Sequence, residues 1–444
     1  MALRLRPCLP VHESLSWLVI LDRSLGPLLF RRTMPLPPVL PSASPLLAHL
    51  QRLRCALAVA EQGSTVQAAR TLHLSQSSVA RAVEQLESAT GLALFHRHAR
   101  GMQGSQASAA LLRRAERALA HLAGEPGRGA GQRPHWLAVP LARGVSGAQL
   151  QTLVALGRSL SLSAAAAELD LSPAAVHQRL AQLEQWAGRA LFIRSRSGLR
   201  ATPAGELMLT SAKRCLAELA QADEELSLQC GRAIGRLVIG TLPFSTGLLL
   251  PRAIEEVLRL YPGMQITVID GTYPALLQQL AQADIDLMVG ALRPQLDHRD
   301  LAQEVLFRDR LAVFVRAGHR LAARKSLRWT HLADAQWVLP MPDTPAEAVF
   351  LQALQEAGLP LQPGHLRVNS AVMMQALLQD SDRLALMSPR QLEREVRAGL
   401  LVQLPVPVRT LRTIGVVQRA DYLPTPAAAH LLELFRTMGR QLSP

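Results

Sequence analysis

The sequence predicts two tandem helical units, each of three helices closed by a basic hairpin, followed by an α/β domain. Three observations lead there. An ungapped repeat occupies the N-terminal half, both copies carry the same helical apolar spacing and capping residues, and strands alternate with helices from residue 235 onward.

A shift of 97 positions lays residues 53–104 on 150–201, and 18 of the 52 positions are identical. Chance gives roughly four or five in a chain this rich in Ala and Leu. The shared residues include Ala68-Ala69/Ala165-Ala166, Leu74-Ser75/Leu171-Ser172, Gln85-Leu86-Glu87/Gln182-Leu183-Glu184 and Ala93-Leu94-Phe95/Ala190-Leu191-Phe192. Each copy opens with an amphipathic helix, over 48–62 and 147–160. The paired alanines give a second, short helix a face that a neighbour can approach closely. Ser75 and Ser172 stand where an N-cap belongs, and Pro173 fits a first helical position, where a missing N–H costs nothing. The third helices, 76–89 and 173–186, bury Val79, Val83 and Leu86, or Val176, Leu180 and Leu183, by the i, i+4, i+7 rule, leaving one face free. Helix, short helix, turn and exposed third helix make a helix-turn-helix, whose last helix reads DNA. The Arg-bearing hairpins His96–Gly101 and Ile193–Arg200 make it winged and suit phosphate or minor-groove contact.

The pattern AA-x-x-L-x-L-S-x-x-x-V, then QLE-x-x-x-G-x-x-LF-x-R, resembles the DNA-binding domain of LysR-type transcriptional regulators. The resemblance implies base reading from the start of the third helix. In the first copy that gives Gln76, Ser77, Ser78 and Arg81; in the second, Pro173, Ala174, His177 and Gln178. Wing contacts fall to Arg97 and Arg100, and to Arg194 and Arg196. Gln and Arg are the side chains best suited to bidentate base contacts, so the first copy is expected to carry more direct readout and the second more phosphate contact. Residues 199–205 match the family's junction between wing and linker helix, whereas residues 103–108 of the first copy depart from it. A typical member has one such domain; this chain has two. The alternative that one copy is degenerate and only packs on the other stays open.

The expected organisation is a disordered tail or mis-assigned start over 1–45, a first winged unit over 46–123 and a flexible Gly/Pro linker over 124–146. A second winged unit follows over 147–202, then a linker helix over 203–231 and an effector-binding domain over 232–444. The linker helix carries an apolar stripe at heptad-like spacing, and the resemblance implies that it dimerises, giving a homodimer or homotetramer. Net charge is +14 overall. The two winged units are basic, residues 202–231 hold two basic against five acidic residues, and residues 232–444 hold 23 against 19. The basic excess fits double-stranded DNA as partner, and an Arg-biased genome would produce it equally. Cys8, Cys55, Cys215 and Cys230 form no CxxC or metal spacing and fit a reducing cytoplasm, with no metal and no cofactor expected. Residues 15–30 are too short and too charged to span a membrane.

In the C-terminal half, strands are expected at 235–241, 262–270, 285–290, 311–315, 337–339, 384–387 and 414–418, in parallel sheets. This resembles the family's effector domain, two α/β subdomains like a periplasmic binding protein. Ligands in such folds sit at the carboxyl ends of strands beside helix N-termini. That selects Phe244, Ser245 and Thr246, then Thr272, Arg293, Thr344 and Ser388 as effector-binding. Each Ser or Thr reads equally as a plain N-cap, and Arg293 as a surface ion pair. The expected effector is a sugar or an aromatic acid, with RNA polymerase as a further partner. GxSxG, GxxxxGK[S/T] and HExxH are absent, which argues against an enzyme. A ligand-independent architectural DNA binder and a pure small-molecule-binding protein are the alternatives.

Overall fold

A computed structural model describes residues 44–98, 101–124, 139–196, 198–232, 234–243, 247, 249–296, 298–361 and 366–442. Residues 1–43 of the expected tail lie outside them. Ser44 and Pro45, also assigned to the tail, lead instead into a 3-10 turn, Pro45–His49, with Leu46 and Leu47 buried. The first unit then comprises α1 (Leu50–Gln62), α2 (Thr65–Leu72), α3 (Gln76–Thr90), the hairpin β1 (Phe95–His98) and β2 (Gly101–Gly104), and α4 (Gln106–Ala123). The second repeats it as α5 (Pro140–Gly144), α6 (Gly147–Ser159), α7 (Leu162–Glu168), α8 (Pro173–Ala187), β3 (Phe192–Ser195), β4 (Gly198–Ala201) and α9 (Pro203–Gln229).

Of the expected linker, residues 125–138 lie outside the described ones. Its end is corrected: Pro140 nucleates α5, and Ala142 and Val145 are fully buried. The departure of residues 103–108 from the family pattern is likewise one of identity only. Ser105 caps α4 by accepting from the Ser108 N–H at 3.1 Å, as Thr202 caps α9 by accepting from Gly205 at 3.0 Å. Both copies share one apolar core. Ala68, Ala69, Ala165 and Ala166 are buried in it, their small side chains seating α2 and α7 close to their neighbours.

The effector module has two subdomains. The first sheet runs β6 (Gly263–Asp270), β5 (Ile234–Thr241), β7 (Leu287–Ala291), β14 (Leu411–Arg419), β8 (Leu301–Arg310). It carries α10 (Leu250–Leu260), α11 (Tyr273–Ala281) and the C-terminal α15 (Pro426–Leu442). The second runs β11 (Leu366–Arg367), β10 (Trp337–Leu339), β12 (Leu384–Met387), β9 (Ala312–Arg316), β13 (Leu401–Gln403), with α12 (Pro345–Glu356), α13 (Ala371–Asp380) and α14 (Glu393–Arg397). The sheets are mixed, correcting the parallel expectation. β5 pairs in parallel with β6 and β7, but β14 runs antiparallel to β7 and β8, and β9 antiparallel to β12 and β13. The reason is connectivity: the chain leaves the first subdomain after β8 and returns with β14, entering each sheet from the opposite end.

Candidate nucleic-acid interface and effector cleft

α3 exposes Gln76, Ser77, Ser78 and Arg81 and buries Val79, Val83 and Leu86. Ser75 Oγ accepts from the Ser78 N–H at 3.1 Å and also meets Ser77 Oγ (3.0 Å) and Ser78 Oγ (2.7 Å), so the two serines are partly engaged by the cap. Gln76 and Arg81 are the reaching side chains of this face. α8 exposes Pro173, Ala174, His177 and Gln178 over buried Val176, Leu180 and Leu183, capped by Ser172. The repeated QLE has a structural cause. Glu87 accepts from the Leu94 and Phe95 N–H groups (2.7 and 3.1 Å), and Glu184 from those of Leu191 and Phe192 (2.8 and 3.4 Å). Each glutamate thereby ties the third helix to its wing.

The second strand of each wing is anchored as well. The Met102 N–H donates to Gly63 O at 2.7 Å, and that of Leu199 to Leu160 O at 2.8 Å. Gly101 has φ +132°, and a Cβ there would stand 2.4 Å from Gly63 O, so only glycine lets the strand approach. Arg194 and Arg196 are exposed on the second hairpin. Arg100 and the side chain of Arg97 lie outside the described residues.

Thr272, Arg293 and Thr344 meet around one cavity of about 750 Å³ between the subdomains. Its lining is largely apolar: Leu242, Pro243, Leu277, Met341 and Pro345, with Tyr273. Arg293 stacks over the Tyr273 ring, 4.6 Å from its centroid, and burial pushes its guanidinium below the ordinary value. Its Nη1 is buried without a hydrogen-bond partner among the described residues. Thr344 Oγ1 accepts from the Glu347 N–H at 3.2 Å as the N-cap of α12. Ser388 is set apart: it is fully buried, and its Oγ donates to Asp309 Oδ1 at 2.9 Å. Asp309 holds Arg412 through its other oxygen at 2.8 Å, and Arg412 reaches the cavity wall. Phe244, Ser245 and Thr246 lie outside the described residues. Arg412 and Asn369 line the cavity and carried no sequence signal: Arg412 sits on β14, which returns from the other subdomain, and Asn369 sits in the loop between β11 and α13.

The module grips α9. Lys213 pairs with Asp284 at 2.7 Å, Arg214 donates to Ala281 O at 2.7 Å, and Gln221 donates to Asp286 at 3.4 Å. α11 therefore begins at the cavity, with Thr272 and Tyr273, and ends against α9. Among the described residues, no helix is long and apolar enough to cross a membrane, and no group of His, Cys, Asp and Glu is placed to hold a metal.

Comparison with known proteins agrees with this architecture. The model described as bacterial regulatory helix-turn-helix protein, lysR family, matches twice, over 50–108 and 148–206, and the LysR substrate binding domain matches 231–440. The HTH-type transcriptional regulator GalR of Pseudomonas putida is 33% identical over 392 residues, 88% of this chain and 97% of its own. PcaQ of Agrobacterium fabrum is 29% identical over 294 residues, 66% of this chain and 94% of its own. A full-length OxyR variant from Pseudomonas aeruginosa, 22% identical, covers 65% of this chain and 96% of its own with a TM-score of 0.51, a likeness of fold. These matches, with two capped recognition helices and an inter-subdomain cavity, place the chain in the LysR family of effector-controlled, DNA-binding transcription regulators and not among enzymes.

Proposed function

We propose that the effector is a small aromatic carboxylate, held in the cavity between the subdomains with its acid group on Arg293. The observation that carries this is the buried Arg293 Nη1 without a hydrogen-bond partner among the described residues, beside an apolar wall of prolines, Met341 and Tyr273. A guanidinium favours a carboxylate, and burying an aromatic ring on that wall is favourable. Thr272 and Thr344 would orient the ligand; Ser388 would act at one remove, by holding Asp309 against Arg412.

On DNA, Gln76, Ser77, Ser78 and Arg81 of α3 would read bases, as would His177 and Gln178 of α8, whose Pro173 and Ala174 would make apolar contact. Arg97, Arg100, Arg194 and Arg196 would hold phosphates. Effector occupancy would bias the angle between the subdomains and reach α9 along α11, as a population shift limited by the ligand's preference between states. The reader would act in the cytoplasm at the nucleoid, as a homodimer or homotetramer in contact with RNA polymerase. Calorimetric titration of the full chain with benzoate-type acids and with hexoses tests the ligand class. Binding by the acids, lost in Arg293→Ala, is expected; binding by hexoses alone would replace the reading with the sugar alternative.

A further inference from the structure

α4 and α9 pack side by side within one core that holds Leu111, Ala115, Leu119 and Leu122 of one helix and Ala212, Leu219 and Leu226 of the other. Most of the stripe of α9 expected to meet a second chain is thus covered from within, with Leu207 left exposed. Arg114 of α4 is fully buried and donates to Glu218 (2.9 Å), Gln221 (2.8 Å) and Glu225 (2.6 Å) of α9. Further along α4, Arg117 pairs with Glu218 at 2.7 Å and His121 lies 3.7 Å from it. Advancing along α4 retreats along α9, so the pair runs antiparallel.

The match is one-sided in charge. α4 holds three arginines against one glutamate, and α9 five acidic against two basic residues. Two copies of α9 face to face would bury Glu218 and Glu225 against their own kind, and uncompensated buried carboxylates are costly. α9 is therefore fitted to α4 and not to itself, a device that selects one partner by penalising another.

The rest of the contact is reciprocal. The 3-10 turn that leads the first copy packs on α9 and α6, with Ser44 Oγ 3.3 Å from Leu219 O. α5, leading the second copy, packs on α4, and Arg54 of α1 donates to Ala142 O (2.7 Å) and Val145 O (2.9 Å) beside it. A Cβ on Gly147 would stand 2.3 Å from Leu47 O, so the two backbones meet there. Each copy's leading turn sits on the other's linker helix, which is the exchange seen across a two-fold interface.

We infer that a single chain carries a complete two-half-site DNA reader whose target is an asymmetric duplex, one half read by α3 and an unlike half by α8. This rests on both helices reading bases, as proposed above. A homodimer presents one recognition helix twice, and its operator mirrors that symmetry. Here the repeat-related positions differ: Gln76 against Pro173, Ser77 against Ala174, Ser78 against Ala175, Ala80 against His177 and Arg81 against Gln178. Association between chains then falls to other surfaces.

Selection of duplexes from a random pool by the full chain, with sequencing, tests this. A motif of two different halves in fixed order is expected. Arg81→Ala should weaken discrimination about 5- to 100-fold in one half alone, and His177→Ala with Gln178→Ala should flatten the other alone. A graft of Gln76→Pro, Ser77→Ala, Ser78→Ala, Ala80→His and Arg81→Gln changes no fully buried residue. It should convert the motif into an inverted repeat of the α8 half. A wild-type motif that is palindromic or a single half, or a graft that leaves the α3 half unchanged, overturns the inference while specific binding stands. A pool without enrichment overturns the proposed base reading together with it.

Discussion

The two N-terminal copies have the same skeleton and different skins. Both use a serine to cap the third helix and a glutamate to hold the wing. Both turn their second helix out through a non-glycine residue at positive φ, His73 at 55° and Asp170 at 54°. At the exposed positions that open the third helix they share nothing, while the buried Val79 and Val176 are the same. Where they pack on each other they are opposite, a buried arginine on α4 against buried glutamates on α9. Residues that make caps and struts are fixed by the fold; residues facing solvent are left free by it; residues at the seam are set by the other copy.

The largest break in that seam should come from Arg114→Met. It strands Glu225 in the core and takes from Glu218 one of its cationic partners, Arg117 staying at 2.7 Å, and should cost about 3–5 kcal/mol in urea unfolding. Ser211, at the matching place on α9, should tolerate Ala within about 0.5 kcal/mol. Equal losses at both sites would mean the seam is not charge-specified.

Two of the buried glutamates of α9, Glu218 and Glu224, should respond oppositely to pH. Burial pushes Glu218 up, but hydrogen bonds from His121 and Arg117 and the charge of Arg114 prevail and hold it at about 2. Its folded value lies below the unfolded one, so its stabilisation is present above about pH 4.5 and is lost toward pH 2. Glu224 faces the effector module, against Thr425 and near Asp286, and burial above all raises it to about 7. Its folded value lies above the unfolded one, so stability falls as pH rises from about 4.5 to 7 and is level beyond. Glu224→Gln should therefore add up to about 3 kcal/mol at pH 8 and almost nothing at pH 4, at roughly 1.4 kcal/mol for each pH unit of the shift. A gain that is the same at both pH values would remove the titration as its cause.

The smallest effect should be the most even. Ser75→Ala and Ser172→Ala each remove one cap and should each cost about 1 kcal/mol in thermal unfolding. A loss confined to one copy would show that the shared skeleton is not shared in energy.

Much of this is readable without coordinates. The repeat, the capping serines and the apolar faces of α3 and α8 follow from local spacing. Cys55 and Cys215 stand at apolar helical positions, and both are buried, the thiol of Cys215 pushed up to about 12 by burial. What escapes the sequence depends on distant partners. A helical stripe says that a face is covered and not by what, so Arg114 gives no sign of Glu218 and Glu225 more than a hundred positions away. Adjacent Glu224 and Glu225 must splay around the helix, and they do, but only the packing shows that one faces the effector module and the other Arg114. The short strands β11 and β13 lack signal because two or three residues carry no period. Of the cavity, Thr272, Arg293 and Thr344 are found through strand ends, whereas Arg412 arrives on a strand that returns from the other subdomain.

The seam between α4 and α9 also bears on dosage. A reader assembled from two chains depends on their encounter, so at low abundance its operator fills with the square of chain concentration. With both halves joined covalently, that encounter is intramolecular and its effective concentration is fixed by the connecting chain. With both helices reading bases as inferred above, occupancy of a single asymmetric site should rise in simple proportion to the number of chains in the cell, and a few copies should suffice where a dissociating pair would be lost to dilution.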